Sequence, residues 1–360
     1  MSWRVQRGNL EGGSGPLVLF NPQSAMWSPR SSIRGRPPPS QEGFILLVVL
    51  GVVLALSALL FGFARKTRTC LAQAESFQRT EQARQAAWGA VQIAAALVRD
   101  VNDFWADPQT ARLLSRPTTF AVGDANCTLT LTAENGLLNV NSLKRGGGPI
   151  DRPRIDQFLR LIDIVNRQEK DLPPIGYGLV PAIVDWIDSD DEVTYLTFVQ
   201  QDNAGAENDY YQMQTPAGVC RNGPMESLEE LLQIKGMTPG TFARLRPYLT
   251  CVGDGKIDLN AAPKIILQSL SEQMDATLAE MIVRRRAAAP FKSLADLRGV
   301  PGMTDAVSHD IQTLATIHPT TTFYRVHVQG EVQDHRATLE ALLQKNPQTA
   351  KVEIVQYREP

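Results

Sequence analysis

Hydrophobic and polar positions divide the chain into stretches of unlike character. From Phe44 to Phe63, FILLVVLGVVLALSALLFGF runs for twenty residues without a charge, about the length that spans a bilayer as a helix. No proline falls between Phe44 and Trp105. Beyond the apolar run Trp88, Val91, Ala95 and Val98 recur at helical spacing, which predicts that the helix continues with one apolar face. About sixty such residues, at about 1.5 Å each, make a rod of roughly 90 Å. Two helices broken near Gly62 to Arg65 satisfy the same pattern.

The period then changes. Cys127, Leu129 and Leu131 alternate with Thr128, Thr130 and Thr132, and Asn135-Gly136 is a hairpin signal leading into Leu137 to Val140, so a half-buried β-hairpin is predicted. Near the end Tyr324, Val326 and Val328 alternate with polar neighbours, Leu339, Leu342 and Leu343 predict a helix, and Val352 to Tyr357 predicts a last strand. The two strand-rich regions are expected to share one antiparallel sheet. Between them, from about Lys144 to Pro319, the pattern is helical with Gly and Pro turns, which places a helical domain inside the sheet domain. The fold class is therefore α+β. Its segments are a polar leader (1–43), a transmembrane helix (44–63), an amphipathic helix with the first hairpin (64–143), the inserted helical domain (144–319) and the closing strands and helix (320–360).

The insert repeats itself. SLEELLQIKGMT, Ser227 to Thr238, matches SLADLRGVPGMT, Ser293 to Thr304, with Ile234 opposite Val300. Ser227 with Glu230 and Ser293 with Asp296 have the spacing of capping boxes, each opening a short helix closed by a glycine turn. A second echo links Gly136-Leu-Leu-Asn-Val-Asn141 to Gly255-Lys-Ile-Asp-Leu-Asn260; both predict an extended segment closing into a polar turn.

Composition narrows the function classes. The 360 residues carry a formal net charge of -2, which disfavours a protein built around nucleic-acid phosphates. Residues 1–42 are rich in Gly, Pro, Ser and Arg, unable to form a core. Arg30, Arg34 and Arg36 precede the apolar span and Arg65, Lys66 and Arg68 follow it, so charge does not orient it. Cys70, Cys127, Cys220 and Cys251 lack CxxC spacing and paired histidines, which argues against zinc and thioredoxin-like chemistry. In an exported chain Cys220 and Cys251, flanking one helical unit, could form a disulfide.

The densest acidic cluster is DWIDSDDE, Asp185 to Glu192, followed after a loop by GAENDYY, Gly205 to Tyr211. Clustered carboxylates without histidine or cysteine suit a hard cation such as Ca²⁺; a solvated acidic loop explains the same residues. The cluster is not an EF-hand, because Val193 stands where that loop requires glycine and Val199 where it requires glutamate. A carboxylate pair acting as acid and base would need a cleft. The glycine turns also resemble the helix-hairpin-helix modules of DNA-uptake receptors, with Arg284, Arg285 and Arg286 as a basic patch. Against this, Pro239 removes an amide and Asp305 puts a negative charge where phosphate would sit.

Taken together, Gly43-Phe44 at the head of the span, AENGLLNVNSL, DWIDSDDE with GAENDYY, SLEELLQIKGM, RPYLTCVGDGKIDLNAAP and RVHVQGEV resemble the minor pseudopilin K family of type II secretion systems. The resemblance implies a pilin-like helix and sheet with SAM-like or helix-hairpin-helix-like repeats inserted, and a non-enzymatic role in capping and starting a periplasmic filament. It implies cleavage by a prepilin peptidase after Gly43, N-methylation of Phe44, and a single-pass inner-membrane protein with its head in the periplasm. Implied partners are I-type and J-type minor pseudopilins and the major pseudopilin, with no nucleic acid. It also implies bound calcium at Asp188, Asp190, Glu207 and Asp209, with Asp185 and Asp191 as further members. Val48 would be the fifth residue of the mature chain, where most pilin-like subunits carry a glutamate that neutralises a neighbour's terminal amine in lipid. Without it, the subunit is expected at the tip.

Overall fold

The computed structural model describes residues 42–101, 104–105, 108–114, 116–144, 148–201, 203–317 and 322–359. The leader reading therefore lies, except for its last two residues, outside the described residues. Two compact units divide the chain, 1–69 and 70–360. The first helix, α1 (Glu42–Asp100), contributes to both and has no break at Gly62 to Arg65. In the first unit its side chains from Phe44 onward are all exposed, and α1 is long and apolar enough to cross a membrane.

In the second unit α1 buries Ala83, Ala87, Ala90, Val91, Ala94 and Val98. This shifts the expected apolar stripe. Val91 and Val98 face inward, but Trp88 lies at the rim, its ring 5.2 Å from that of Tyr357. The alanines take the core side because the helix crosses a glycine: a Cβ on Gly330 would lie 2.4 Å from the Ala83 carbonyl oxygen. Only small side chains permit backbones to approach so closely.

A short helix α2 (Pro108–Leu113) leads into β1 (Thr118–Val122) and β2 (Ala125–Ala133), joined through Gly123 at φ +60°. Cys127, Leu129 and Leu131 point inward as the alternation requires. The hairpin turn lies ahead of β2, not after it. Asn135-Gly136 forms a 3-10 turn, and the next segment, β3 (Leu138–Asn139), leaves the sheet to pair in parallel with β4 (Leu249–Thr250). Leu138, Val140 and Leu143 pack in the core of the insert, so the transition comes at Glu134 instead of Lys144.

The insert comprises α3 (Arg152–Gln168), α4 (Leu179–Ile187), α5 (Asn208–Gln212), α6 (Pro239–Leu245), β4, β5 (Ile257–Asp258), α7 (Lys264–Ser269), α8 (Ala276–Ala288), α9 (Asp305–Leu314) and β6 (Ala315–Thr316). The chain then returns to the sheet with β7 (Phe323–Val332), β8 (His335–Lys345) and β9 (Val352–Arg358), in the antiparallel order β1-β2-β7-β8-β9. The helix expected around Leu339 is β8. Leu339, Ala341 and Leu343 alternate inward against β7, while the neighbouring Leu342, beside an irregularity in the pairing with β9, imitates helical spacing in the sequence.

Both echoes in the sequence are structural repeats. β3 pairs in parallel with β4 across the first repeat, and β5 pairs in parallel with β6 across the second repeat. Both capping boxes form, each opening a 3-10 turn and not the α-helix expected. Gly236 and Gly302 adopt φ +82° and +86°, and Thr238 and Thr304 cap α6 and α9. Asn141 clasps the backbone of Met225, and Asn260 clasps Phe291 in the same manner. These asparagines satisfy backbone groups that the irregular chain would otherwise leave unpaired.

The insert is fastened to the sheet at its root. Asn135 accepts from the amides of Thr322 and Phe323, and the buried Glu134 accepts from Arg325. A Cβ on Gly136 would lie 2.5 Å from the Ala261 backbone, so the AENG segment joins the two layers.

Candidate metal centre

Every residue of α4 is buried, because the helix is apolar at every position but one and packs into the core of the insert. Its last turn nevertheless carries Asp185, and Asp188 follows as its C-cap. Asp185 Oδ1 accepts from the Thr194 amide at 2.9 Å, which pins the loop leaving α4. That loop returns at Gly205, where a Cβ would lie 2.1 Å from Asp185 Oδ2, so only glycine lets the chain pass. Two residues later Glu207, the N-cap of α5, turns its carboxylate inward.

Asp185, Asp188 and Glu207 are thereby brought together, with one carboxylate oxygen from each within 4.8 Å of the others. All are deeply buried, at 0 %, 0 % and 4 % exposure. Asp185 Oδ2, Asp188 Oδ1 and both oxygens of Glu207 have no hydrogen-bond partner. Burial raises the affinity of all three for protons, and the neighbouring carboxylates, Asp185 first, add to the effect at Glu207, which is pushed up to about 8. Buried charges without partners are costly, and orphaned oxygens converging from two elements have the donor set of a hard divalent cation.

The remaining expected ligands lie elsewhere. Asp190 Oδ1 accepts from the Glu192 amide, and that hydrogen bond, with the charge of Lys144, holds its pKa below the usual range. Asp191 Oδ1 accepts from Asn208 Nδ2 at 2.7 Å and from Asn222 Nδ2 at 3.0 Å. Asp209 is exposed in the first turn of α5, outside the cluster. Lys144 is the member that the sequence reading missed: its Nζ donates to Asp188 Oδ2 at 2.5 Å and Asp190 Oδ2 at 3.3 Å. No periodicity or motif ties Lys144 to a cluster more than forty positions away. Lys235, in the first glycine turn, donates to the carbonyls of Ala204 and Gly205 and supports the loop from its other side.

Gly43 and Phe44 lie within α1. The suggested Cys220–Cys251 disulfide is not formed. Both thiols are free; Cys220 Sγ donates to the Asp185 carbonyl and Cys251 Sγ to that of Glu226. Each arginine of the basic patch has a partner within the protein. Arg284 pairs with Glu280, Arg285 donates to the Ala289 carbonyl and Arg286 to that of Leu259.

Comparison with known proteins agrees with this architecture. The family described as type II secretion system (T2SS), protein K, matches residues 136–254 and 257–317, which correspond to the two structural repeats and together make up half of the chain. Type II secretion system protein K of Klebsiella pneumoniae is 24% identical over 278 residues, covering 73% of this chain and 80% of that protein. The protein of the same name from Pseudomonas aeruginosa is 24% identical over 326 residues, covering 85% and 89%. Among solved structures, a chain of the GspK–GspI–GspJ complex from enterotoxigenic Escherichia coli aligns with a TM-score of 0.57 at 16% identity, covering 82% of this chain and 99% of that one, a likeness of fold.

Proposed function

The chain belongs to the type II secretion system protein K family, and from that premise we propose that this minor pseudopilin caps and helps to initiate a periplasmic pseudopilus, assembling with I-type and J-type minor pseudopilins. The observation that carries the tip position is the interruption of the helix-and-sheet unit between Ala133 and Phe323 by a second domain with its own core. A filament of closely packed stalk helices has no room for that volume inside its wall, but its upper end does. Val48 supports the same position, since a subunit without a carboxylate there cannot neutralise the amine of a subunit above it in lipid.

In this reading α1 anchors the chain in the inner membrane with the head in the periplasm, after a prepilin peptidase has cut between Gly43 and Phe44. The major pseudopilin adds below. The cluster of Asp185, Asp188 and Glu207 holds Ca²⁺, supported by its unpartnered oxygens; the ion fixes the loop between α4 and α5. The role is one of assembly, not catalysis.

The test is co-purification. Tagged full-length chain, extracted in detergent from cells that express the I-type and J-type subunits of its own system, is expected to bring down both. Recovery of the tagged chain alone, while the other two bind each other, rules out the tip complex.

A further inference from the structure

The three buried carboxylates of the acidic centre, if ionised, carry a charge of about -3, and a divalent ion supplies about +2. The remaining charge has a partner in the structure. Asp188 divides its oxygens: Oδ2 accepts from Lys144 Nζ at 2.5 Å, while the buried Oδ1 has no hydrogen-bond partner. Lys144 is well placed to be a fixed member. Its backbone bridges to Ile150 directly after the 3-10 turn Val140–Ser142, and its side chain is only 12% exposed. The same ammonium reaches Asp190 Oδ2 at 3.3 Å. Asp190 and Asp191 are otherwise occupied by the Glu192 amide and by Asn208 and Asn222. Among the described residues from Asp185 to Asp209, the buried carboxylate oxygens without a hydrogen-bond partner are thus those of the triad.

We infer that Lys144 is a resident cation of this centre: it takes one side of Asp188 together with the outer Asp190, limits the centre to a single divalent ion and weakens the hold on that ion. The inference rests on the calcium reading above. A fixed positive charge against a ligand carboxylate repels an incoming dication, and the repulsion is strong where solvent is excluded. The same charge steadies the cluster when no ion is bound, because it is the only cation among the described residues that pairs with Asp188.

The experiment is calorimetric titration of CaCl₂ into the full-length chain in detergent, with Lys144→Met, Lys144→Gln and Lys144→Arg compared, and melting temperatures taken in Ca²⁺ and in EDTA. The wild type is expected to bind one ion. Lys144→Met and Lys144→Gln bind about tenfold tighter or more, Lys144→Arg stays near the wild type, and the neutral variants melt lower than the wild type only in EDTA. Either neutral variant suffices if the other fails to fold. Unchanged or weaker binding by the neutral variants, or two ions in the wild type, overturns the inference about Lys144 while leaving the metal site standing. No heat and no melting shift in any of the four proteins overturns the calcium reading and this inference with it.

Discussion

Lys345, on β8, donates from Nζ to the carbonyl oxygen of Val98 at 2.7 Å, in the last turn of α1, and to that of Val101 at 2.6 Å just beyond it. The side chain is 2% exposed. An ammonium group there satisfies carbonyls that a helix end leaves unpaired and opposes the negative end of its dipole. Burial lowers the lysine pKa, but the carbonyls replace its lost water. Lys345→Met keeps the volume and removes the cap, so it should destabilise the head by about 2 kcal/mol, read as a lower melting temperature with unchanged helix content near Phe44.

Glu340 joins the insert to the sheet. It accepts from Arg246 of the insert at 2.8 Å and from Arg358 Nε of β9 at 2.7 Å. Burial alone would raise its pKa, but the hydrogen bonds and charges of Arg358 and Arg246 outweigh that and bring it down to about 2. A depressed carboxylate stabilises the fold above its unfolded pKa and loses that contribution as pH falls through the folded value. Stability should therefore drop between about pH 4.5 and about 2. Glu340→Gln should lose about 3 kcal/mol at neutral pH and show a flatter acid limb in thermal unfolding.

Much of this architecture is legible in the sequence where local chemistry decides it. The capping boxes at Ser227 and Ser293, the glycine turns after Ile234 and Val300, and the inward alternation from Cys127 to Leu131 each need only near neighbours. What fails are features set by distant partners. Leu339 and Leu343 become a strand because β7 lies beside them, and Asn135-Gly136 serves the root of the insert because Thr322 and Ala261 come to meet it. The candidate site divides in the same way. Asp185 and Asp188 share one helix end, and Glu207 was marked by its acidic context. Lys144 and the withdrawal of Asp190, Asp191 and Asp209 depend on the tertiary path of the loop.

Calcium should change the pH dependence of stability. Glu207 has a folded pKa of about 8 and Asp185 and Asp188 are also raised. For carboxyls shifted upward, the folded state without metal holds protons that the unfolded state releases, so stability is fully present below the unfolded pKa and falls as pH rises toward about 8. An ion displaces those protons and opposes the fall. The gap in melting temperature between Ca²⁺ and EDTA should widen from about pH 5 to about pH 8; a gap independent of pH contradicts the role of these three carboxylates.

Gly205 offers a test through shape and not charge. An added Cβ would sit 2.1 Å from Asp185 Oδ2 and 2.7 Å from the Pro181 carbonyl, and neither the ligand nor the buried helix α4 can yield without moving the other. Gly205→Ala should cost about 1–3 kcal/mol and abolish the calcium-dependent rise in melting temperature. Gly218→Ala is the control, since the nearest atom to its Cβ would be 3.7 Å away; it should keep the calcium response.

Processing at the start of α1 is tested at Gly43. The proposed cut leaves Phe44 as the first mature residue, at the head of an uncharged run that ends at Phe63. A protease must draw the scissile bond into an extended form, and glycine before that bond imposes the least side-chain bulk and the least resistance to leaving the helix. A β-branched residue adds bulk at the position the enzyme must accommodate. Gly43→Val should therefore accumulate as a membrane-inserted precursor that keeps residues 1–43, seen as a larger species on immunoblots, and should fail to support secretion. Its head should melt at the wild-type temperature, because residue 43 lies in the first unit and the core begins at Ala83. A variant of mature size with normal secretion contradicts cleavage after Gly43, and a precursor that still supports secretion separates processing from assembly.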